Sequence, residues 1–370
     1  MFFALDFKKH LNFSFHYDLP NGLILSTDAG WQIFKQEGKT IIAKGYADSC
    51  LLEHAIDNNI RGNYCAWICT SLSARLVHDP DRSFPVHVHN NGMITNLLPG
   101  EKQIWADKTF CVNQSLEVEL FDREIELFDD QQLSDDAVVD AIDEILCETF
   151  EKFLIHNRLP LKLFLSEGID TTTVWCYLDK FTKNYEIIDC EYVKYTPFWR
   201  ANKQIAKAYH WGYRFIHMWE DPTVLITGSM GDEFFLRGPA TMFLLPTWYG
   251  VNIKNKIKQD DYMYTYVMQT IDNYTPEVIK TLTACNTLSD VKQYMFNILT
   301  NDYQHWHLDN TLTFTPFKDR RILKTMLNAN AKLLELQARH AEVNRRLIQK
   351  HDPDKLKRIS TQKNNGMKNL

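Results

Sequence analysis

Residues 163–173 read Leu163-Phe-Leu-Ser-Glu-Gly-Ile-Asp-Thr-Thr-Thr173, which is the most informative local pattern of the chain. Its apolar start is typical of a buried parallel strand, and the small and acidic residues that follow predict a turn. A segment compatible with a helix begins at once. The N–H groups and dipole of its first turn would favour an anion. The stretch therefore predicts a strand, a phosphate-binding turn and a helix N-terminus.

The same pattern recurs downstream, where residues 223–233 read Thr223-Val-Leu-Ile-Thr-Gly-Ser-Met-Gly-Asp-Glu233. Parallel strands present their carboxyl ends at one edge of a sheet, which is where ligands bind in such folds. Two strand ends that carry glycine and acidic residues therefore indicate a nucleoside triphosphate with Mg²⁺ between them.

Together the two loops resemble the ATP-pyrophosphatase domain of the asparagine synthetase family. Ser166–Thr171 resembles that family's Ser-Gly-Gly-x-Asp-Ser loop, and Gly228–Glu233 resembles its Gly-x-Gly-x-Asp-Glu signature. Two later segments, Thr315–Leu323 and Ser360–Gly366, are similar to its Pro-Phe-Leu-Asp segment and its late Lys-x-Gly loop. The resemblance covers most of residues 134–370.

The resemblance implies an α/β fold with a C-terminal doubly wound parallel sheet, of the type found in adenine-nucleotide alpha-hydrolases. A β-rich α+β domain at 1–125, similar to the family's glutaminase domain, would precede a linker at 126–135 and the ATP-pyrophosphatase domain at 136–370. The family's glutaminases use a cysteine immediately after the initiator methionine. Phe2 stands there instead, so we expect the N-terminal domain to lack glutaminase activity.

The resemblance also implies a chemistry. Members of the family convert ATP to AMP and pyrophosphate by forming an acyl-adenylate, which ammonia or an amine then captures. By this resemblance Asp170 and Asp232 would bind Mg²⁺, and Lys363 and Glu233 would be catalytic. The residues implied in binding the nucleotide, some through the metal, are Ser166, Gly168, Asp170, Thr171, Gly228 and Gly231.

Each of these residues also has a purely structural interpretation. Ser166 and Thr171 could be a turn residue and a helix cap, and the two aspartates could be caps as well. Lys363 lies in a lysine-rich tail where a chance match is common. We expect Asp319 to order the Arg320/Arg321 region.

Two further pairs do not predict metal sites. His87 and His89 share one side of a strand, but no third ligand is evident. Cys65 and Cys69 have no partner pair.

Three departures from the family pattern keep other functions open. Glu167 and Met230 stand where the family has glycine, and a carboxylate beside a triphosphate is repulsive unless it points away or serves as a further Mg²⁺ ligand. The 62-residue interval from Ser166 to Gly228 is short for the family, in the part that often shapes the amino-acid pocket, so the chain could modify another acceptor, such as a base or a peptide. It could also be a non-catalytic relative that binds a nucleotide or a partner.

Local patterns predict several elements of the second domain. Ser134 is a typical N-cap for a helix whose apolar side chains recur at helical spacing from Val138 to Phe153. Further strands are expected at 185–191 and 214–219, with a helix at 199–209 between them and mainly helices over 260–350.

Composition limits the partners. The 370 residues carry a net charge of −6, distributed as −12 over 101–150 and +6 over 339–370. We interpret the acidic run as a solvated linker and helix face, and the basic tail as a phosphate-attracting or solvated segment. With no apolar run long enough for a membrane and eight scattered cysteines, we expect a cytoplasmic protein with reduced thiols. Its expected partners are a small carboxylate and ammonia or an amine, without membrane or nucleic acid, and a homodimer is compatible with the sequence.

Overall fold

The computed structural model of the chain describes residues 3–10, 13, 15–27, 30–47, 52, 56, 62–78, 86–95, 102–104, 108–122, 128, 132–165, 168–189, 223–237, 284, 287–301 and 311–359. Several sequence-based predictions lie outside these ranges: those for Phe2, Ser166, Glu167, Lys363 and residues 199–219.

The described N-terminal part consists of two antiparallel sheets of six strands each. The strand order is β10-β8-β9-β1-β3-β2 in the first sheet and β12-β11-β7-β6-β5-β4 in the second. The strands are β1 (Phe3–Asp6), β2 (Phe15–Asp18), β3 (Ile24–Thr27), β4 (Gln32–Gln36), β5 (Lys39–Ala47), β6 (Gly62–Cys69), β7 (Ser73–His78), β8 (Val86–Val88), β9 (Ile94–Thr95), β10 (Lys102–Ile104), β11 (Lys108–Asn113) and β12 (Val118–Asp122).

Aromatic side chains join the two sheets face to face. Phe3 of the first sheet meets Trp67 of the second edge-on, with ring centroids 5.3 Å apart, and Trp67 meets Phe110 in the same way. Because side chains alternate along a strand, the next residues of the second sheet point to its other face. There Tyr64 packs in a separate buried cluster with Ile56. The second sheet is therefore buried on both faces, and the predicted β-rich character of this region is confirmed.

The C-terminal part is organised around a four-stranded parallel sheet. Its strands are β13 (Leu161–Leu165), β14 (Glu186–Asp189), β15 (Thr223–Ile226) and β16 (Thr311–Phe314), in the order β14-β13-β15-β16. Leu163 lies opposite Ile187 on one side and Ile226 on the other. The chain adds β14 on one side of β13 and then crosses to the other side for β15. The strand order thus reverses between β13 and β15, and such reversals open a crevice at the carboxyl ends of the strands.

Seven helices of the described residues accompany this sheet, together with 3₁₀ turns at Pro316–Lys318 and Pro353–Arg358. They are α1 (Asp135–His156), α2 (Ile169–Phe181), α3 (Gly231–Phe234), α4 (Leu288–Asn301), α5 (Arg320–Leu327), α6 (Ala331–His340) and α7 (Glu342–His351). None of them combines the length and the apolar content needed to cross a bilayer.

Helix α1 begins and packs as its sequence predicts. The Ser134 hydroxyl accepts a hydrogen bond from the Ala137 N–H, which satisfies one of the N–H groups left free at the helix start. The buried face of the helix carries Phe150 and Phe153, whose rings lie 5.3 and 3.8 Å from the ring of Phe314 in β16. Burial of each such aromatic ring contributes roughly 2–3 kcal/mol.

The basic C-terminal helix α7 lies against the acidic helix α1. Arg346 forms an ion pair with Asp136, and the Lys350 ammonium lies 2.9 Å from Asp140. The acidic face of α1 is therefore matched by basic side chains from a helix some 200 residues later, rather than by solvent alone. The described chain as a whole is a mixed α/β protein with a β-rich N-terminal region and a parallel sheet.

Candidate functional site

The two glycine-containing loops meet at the carboxyl ends of β13 and β15. Helix α2 begins four residues after β13 ends, with Gly168 as its N-cap and Asp170 in its first turn. The short helix α3 begins five residues after β15 ends, with Asp232 and Glu233 in its first turn. Because β13 and β15 are hydrogen-bonded neighbours, the two loops leave the sheet side by side.

Two glycines allow the second loop to lie directly on the first turn of α2. A Cβ atom on Gly228 would lie 2.6 Å from the Thr171 backbone nitrogen and 2.8 Å from the Asp170 carbonyl carbon. A Cβ atom on Gly231 would lie 2.9 Å from the Asp170 Cβ and would overlap its carboxylate. Any other residue would force the loops apart at these positions. The two glycines, which are predicted to take part in nucleotide binding, thus bring the two loops together.

Asp170 and Asp232 meet on one arginine. The Arg237 Nη2 donates to the Asp170 Oδ2 and to the Asp232 Oδ1. The Asp170 and Arg237 side chains are 18% and 14% exposed, whereas that of Asp232 is 64% exposed. The two carboxylates predicted to share a metal are therefore brought together in the structure, with a guanidinium group between them.

Sequence reasoning missed Arg237. It follows Asp232 by five residues, which is not a spacing that pairs side chains along a helix. The pairing arises because α3 ends after one turn and the chain folds back, so that the Arg237 N–H donates to the Asp232 carbonyl oxygen at 2.8 Å. This turn returns the guanidinium to the start of α3.

The carboxyl of Asp170 sits in an unfavourable environment for charge. Burial raises its pKa from an ordinary 3.8 to about 7. The Arg237 guanidinium opposes this rise, and the negative charges of Asp232 and Glu233 add to it. The mutual repulsion of these three acidic groups favours a cation beside them, and perturbed carboxyls of this kind are typical of functional sites.

A buried network of side-chain amides is hydrogen-bonded to the Asp170 carboxylate. The Asn344 Nδ2 donates to the Asp170 Oδ1 at 3.4 Å, and its own Oδ1 accepts from the Gln337 Nε2 at 2.8 Å. The Gln337 Oε1 in turn accepts from the Val343 N–H at 2.7 Å. Asn344 and Gln337 are fully buried, so the facing ends of α6 and α7 fix the position of the carboxylate. Asn344 is a second site residue that sequence reasoning missed.

The threonines after Asp170 bond to the backbone of their own helix. The hydroxyls of Thr171 and Thr172 donate to the Gly168 carbonyl oxygen at 3.1 and 2.9 Å, and that of Thr173 donates to the Ile169 carbonyl oxygen. The Thr171 hydroxyl must therefore rotate before it can donate to a phosphate. The backbone N–H groups of the first turn are the donors that the helix geometry itself provides for an anion.

The donor set suits a hard divalent cation. Mg²⁺ prefers carboxylate oxygens and commonly uses one or two of them together with phosphate oxygens. Asp170 and Asp232 supply such oxygens from two different loops. The residues present thus fit the expected metal, although in this structure the same oxygens bind Arg237.

A second cluster of ligating side chains joins α1, α2 and α7. Asp143, Cys147 and His351 hold their ligand atoms within 4.8 Å of one another. The Asp143 carboxylate lies 2.8 Å from the Lys350 ammonium and accepts from the Tyr177 hydroxyl at 2.7 Å. The Lys180 ammonium lies 3.0 Å from the Cys147 sulfur. Two ammonium groups at its edges disfavour a further cation, so we interpret the cluster as a link between three helices.

Asp319 plays the ordering role that the sequence predicts. Its carboxylate accepts from the Arg321 N–H at 2.9 Å as the N-cap of α5 and forms an ion pair with the Arg321 guanidinium at 2.7 Å. Arg321 also binds Glu148 of α1. The segment that resembles the family's Pro-Phe-Leu-Asp motif thereby anchors α5 to α1.

No protein-family model matches this chain, and no curated protein matches it. The functional interpretation consequently depends on the residues and on the geometry of the site.

Proposed function

We propose that the chain is an ATP-dependent amide-forming ligase of the asparagine-synthetase type. It would activate a carboxylate as an acyl-adenylate, release pyrophosphate and use ammonia or an amine as the nitrogen donor. One observation carries this proposal: two glycine-containing loops on neighbouring parallel strands touch through Gly228 and Gly231 and converge their aspartates on one cation position.

Several features support the proposal. The strand order β14-β13-β15-β16 suits a doubly wound sheet, whose ligand crevice lies where the order reverses. The first turn of α2 would bind phosphate oxygens through its N–H groups, and Asp170 and Asp232 would hold Mg²⁺. The metal would neutralise phosphate charge when bound.

The proposal also assigns roles to the other residues that the sequence predicts in the site. Ser166 and Gly168 would contribute to the phosphate-binding turn, with Glu233 near the metal and Lys363 as the late cation. A cytoplasmic location agrees with the free thiols of the described cysteines, such as buried Cys65 and Cys176.

A second candidate is a relative that binds a nucleotide without catalysis. Arg237 favours it, because a guanidinium already binds the two carboxylates that the reaction needs for Mg²⁺. Glu167 favours it as well, because a carboxylate within the sequence of the phosphate-binding turn would repel a triphosphate.

Pyrophosphate release from Mg²⁺-ATP tests the proposal. The purified chain is incubated with ammonia and a panel of amino acids and other carboxylates, beside Asp170→Ala and Asp354→Ala. Asp354 is a matched control because its carboxylate is exposed and pairs with Lys357. Release of pyrophosphate with AMP, lost only in Asp170→Ala, would support the ligase. ATP binding without turnover across the panel would favour the second candidate, and absence of ATP binding would refute both.

A further inference from the structure

Arg237 stands where the chemistry of the site calls for a cation. A single nitrogen, Nη2, bonds to carboxylate oxygens from both loops. The guanidinium therefore occupies the position that a metal shared by the two loops would take. A divalent metal that used the same Asp170 Oδ2 and Asp232 Oδ1 would have to displace it.

Backbone geometry on both sides of α3 holds this arrangement. Met230, at the N-cap of α3, has φ 68°, and Leu236, after its last turn, has φ 53°. Bulky residues rarely adopt this left-handed region, and they do so where the surrounding structure imposes it, commonly at functional sites. Leu236 and its neighbour Phe235 are fully buried, which fixes the return of the chain that places Arg237 over Asp232.

The guanidinium is not fully satisfied in this position. Its Nε atom is buried and has no hydrogen-bond partner among the residues that the structure describes. Arginine can offer five N–H donors and forms its strongest pairs with anions in a fork geometry. Here the bonds to both carboxylates come from one nitrogen, so these ion pairs use only part of the donor capacity of the group.

We propose that Arg237 is the resident cation of the metal-free site, and that a divalent cation binds Asp170 and Asp232 only when the guanidinium leaves them. Arg237 thereby sets the metal affinity of the free protein. The inference deepens the proposed function, since it concerns the same two carboxylates.

Binding of Mn²⁺ alone, without nucleotide, tests this exchange. Free Mn²⁺ is measured by electron paramagnetic resonance during titration of the full chain. We expect Arg237→Gln to bind Mn²⁺ at least tenfold more tightly than the unsubstituted protein, whereas Arg237→Lys, which keeps the charge, should remain weak. The gain should disappear when Asp170→Asn is added to Arg237→Gln.

Two further variants serve as a replacement and as a control in this experiment. Arg237→Met also removes the charge but keeps the length and apolar packing of the side chain, so it replaces Arg237→Gln if that variant fails to fold. Arg345→Gln is the matched control, because Arg345 is an exposed arginine that bonds to the His340 carbonyl oxygen. Unchanged or weaker Mn²⁺ binding in a folded neutral variant would overturn the inference.

ATP titrations separate this inference from the proposed function. Tighter Mn²⁺ binding in Arg237→Gln, with no ATP binding by any variant, would refute the proposed function but support the exchange of the guanidinium for a metal. Binding of Mg²⁺-ATP with unchanged Mn²⁺ affinity would leave the proposed function and refute the exchange.

Discussion

Gly228→Ala should separate the two loops of the site. The new Cβ would lie 2.6 Å from the Thr171 backbone nitrogen and 2.8 Å from the Asp170 carbonyl carbon. Relaxation to an ordinary contact distance near 3.4 Å needs a shift of about 0.8 Å. Both neighbours are backbone atoms, so no side-chain rotation can relieve the contact. Overpacking of this kind costs roughly 1–3 kcal/mol, and we expect a value near the upper end.

Thermal melting and ATP titration of the same samples measure this effect. A loss of about 3 kcal/mol corresponds to a decrease in Tm of about 6–12 °C for a domain of this size. We also expect ATP affinity to fall at least tenfold, because the first turn of α2 is displaced from the second loop.

Gly38→Ala is the matched control for this substitution. Gly38 has φ 73°, and no atom lies within 4 Å of the position that a Cβ would take there, so alanine introduces backbone strain without a collision. We expect a cost of about 1 kcal/mol and an unchanged ATP affinity. If Gly228→Ala kept both the Tm and the ATP affinity of the unsubstituted protein, the reasoning on the loop contact would be refuted.

Three other substitutions test the surroundings of the site. Gly231→Ala should displace the Asp170 carboxylate. We expect it to lower the free energy of unfolding, measured by thermal melting, by about 1–3 kcal/mol. An unchanged Mn²⁺ affinity of this variant would contradict the predicted overlap with the carboxylate. Asp143→Asn should lower the free energy of unfolding by about 2 kcal/mol at pH 7. Burial alone would raise the pKa of Asp143, but hydrogen bonds from its lysine, histidine and tyrosine partners lower the pKa from 3.8 to about 2. Its stabilisation is therefore present above pH 4 and lost as the pH falls to 2, so unfolding free energies of the two proteins should converge in acid. If the unfolding free energies of the two proteins instead changed in parallel with pH, the stabilising role of the Asp143 carboxylate would be refuted. Asp319→Ala removes both the N-cap of α5 and the ion pair with Arg321, so the free energy of unfolding in urea should fall by about 1–3 kcal/mol. Asp319→Asn should lose less, because its amide oxygen still caps α5.

Local patterns predicted much of the fold. Ser134 as an N-cap and the apolar spacing that follows it are properties of residues within a few positions of one another, and α1 begins and buries its side chains accordingly. The strands before Gly168 and Gly228 were evident for the same reason, since short apolar runs end at turn residues. Their parallel pairing followed from the repeated strand–turn–helix pattern.

Long-range pairing was beyond the reach of these patterns. The acidic run is expected to form a solvated face, and Asp136 and Asp140 are 82% and 70% exposed, but the sequence does not show that they pair with Arg346 and Lys350 of α7. Ion pairs between residues some 200 positions apart depend on which helices pack together, and charge composition does not specify that choice. The role of Asn344 behind Asp170 was hidden for the same reason.

The positions of the two loops and the carboxylates that they carry follow from the order of the amino acids, because strand ends, turns and helix starts depend on neighbouring residues. What lies between those carboxylates follows from the folded chain. Gly228 and Gly231 let the loops touch, and the buried turn at Leu236 brings Arg237 back onto Asp170 and Asp232. Contacts of this kind depend on close packing and on chain reversal, which sequence spacing does not show.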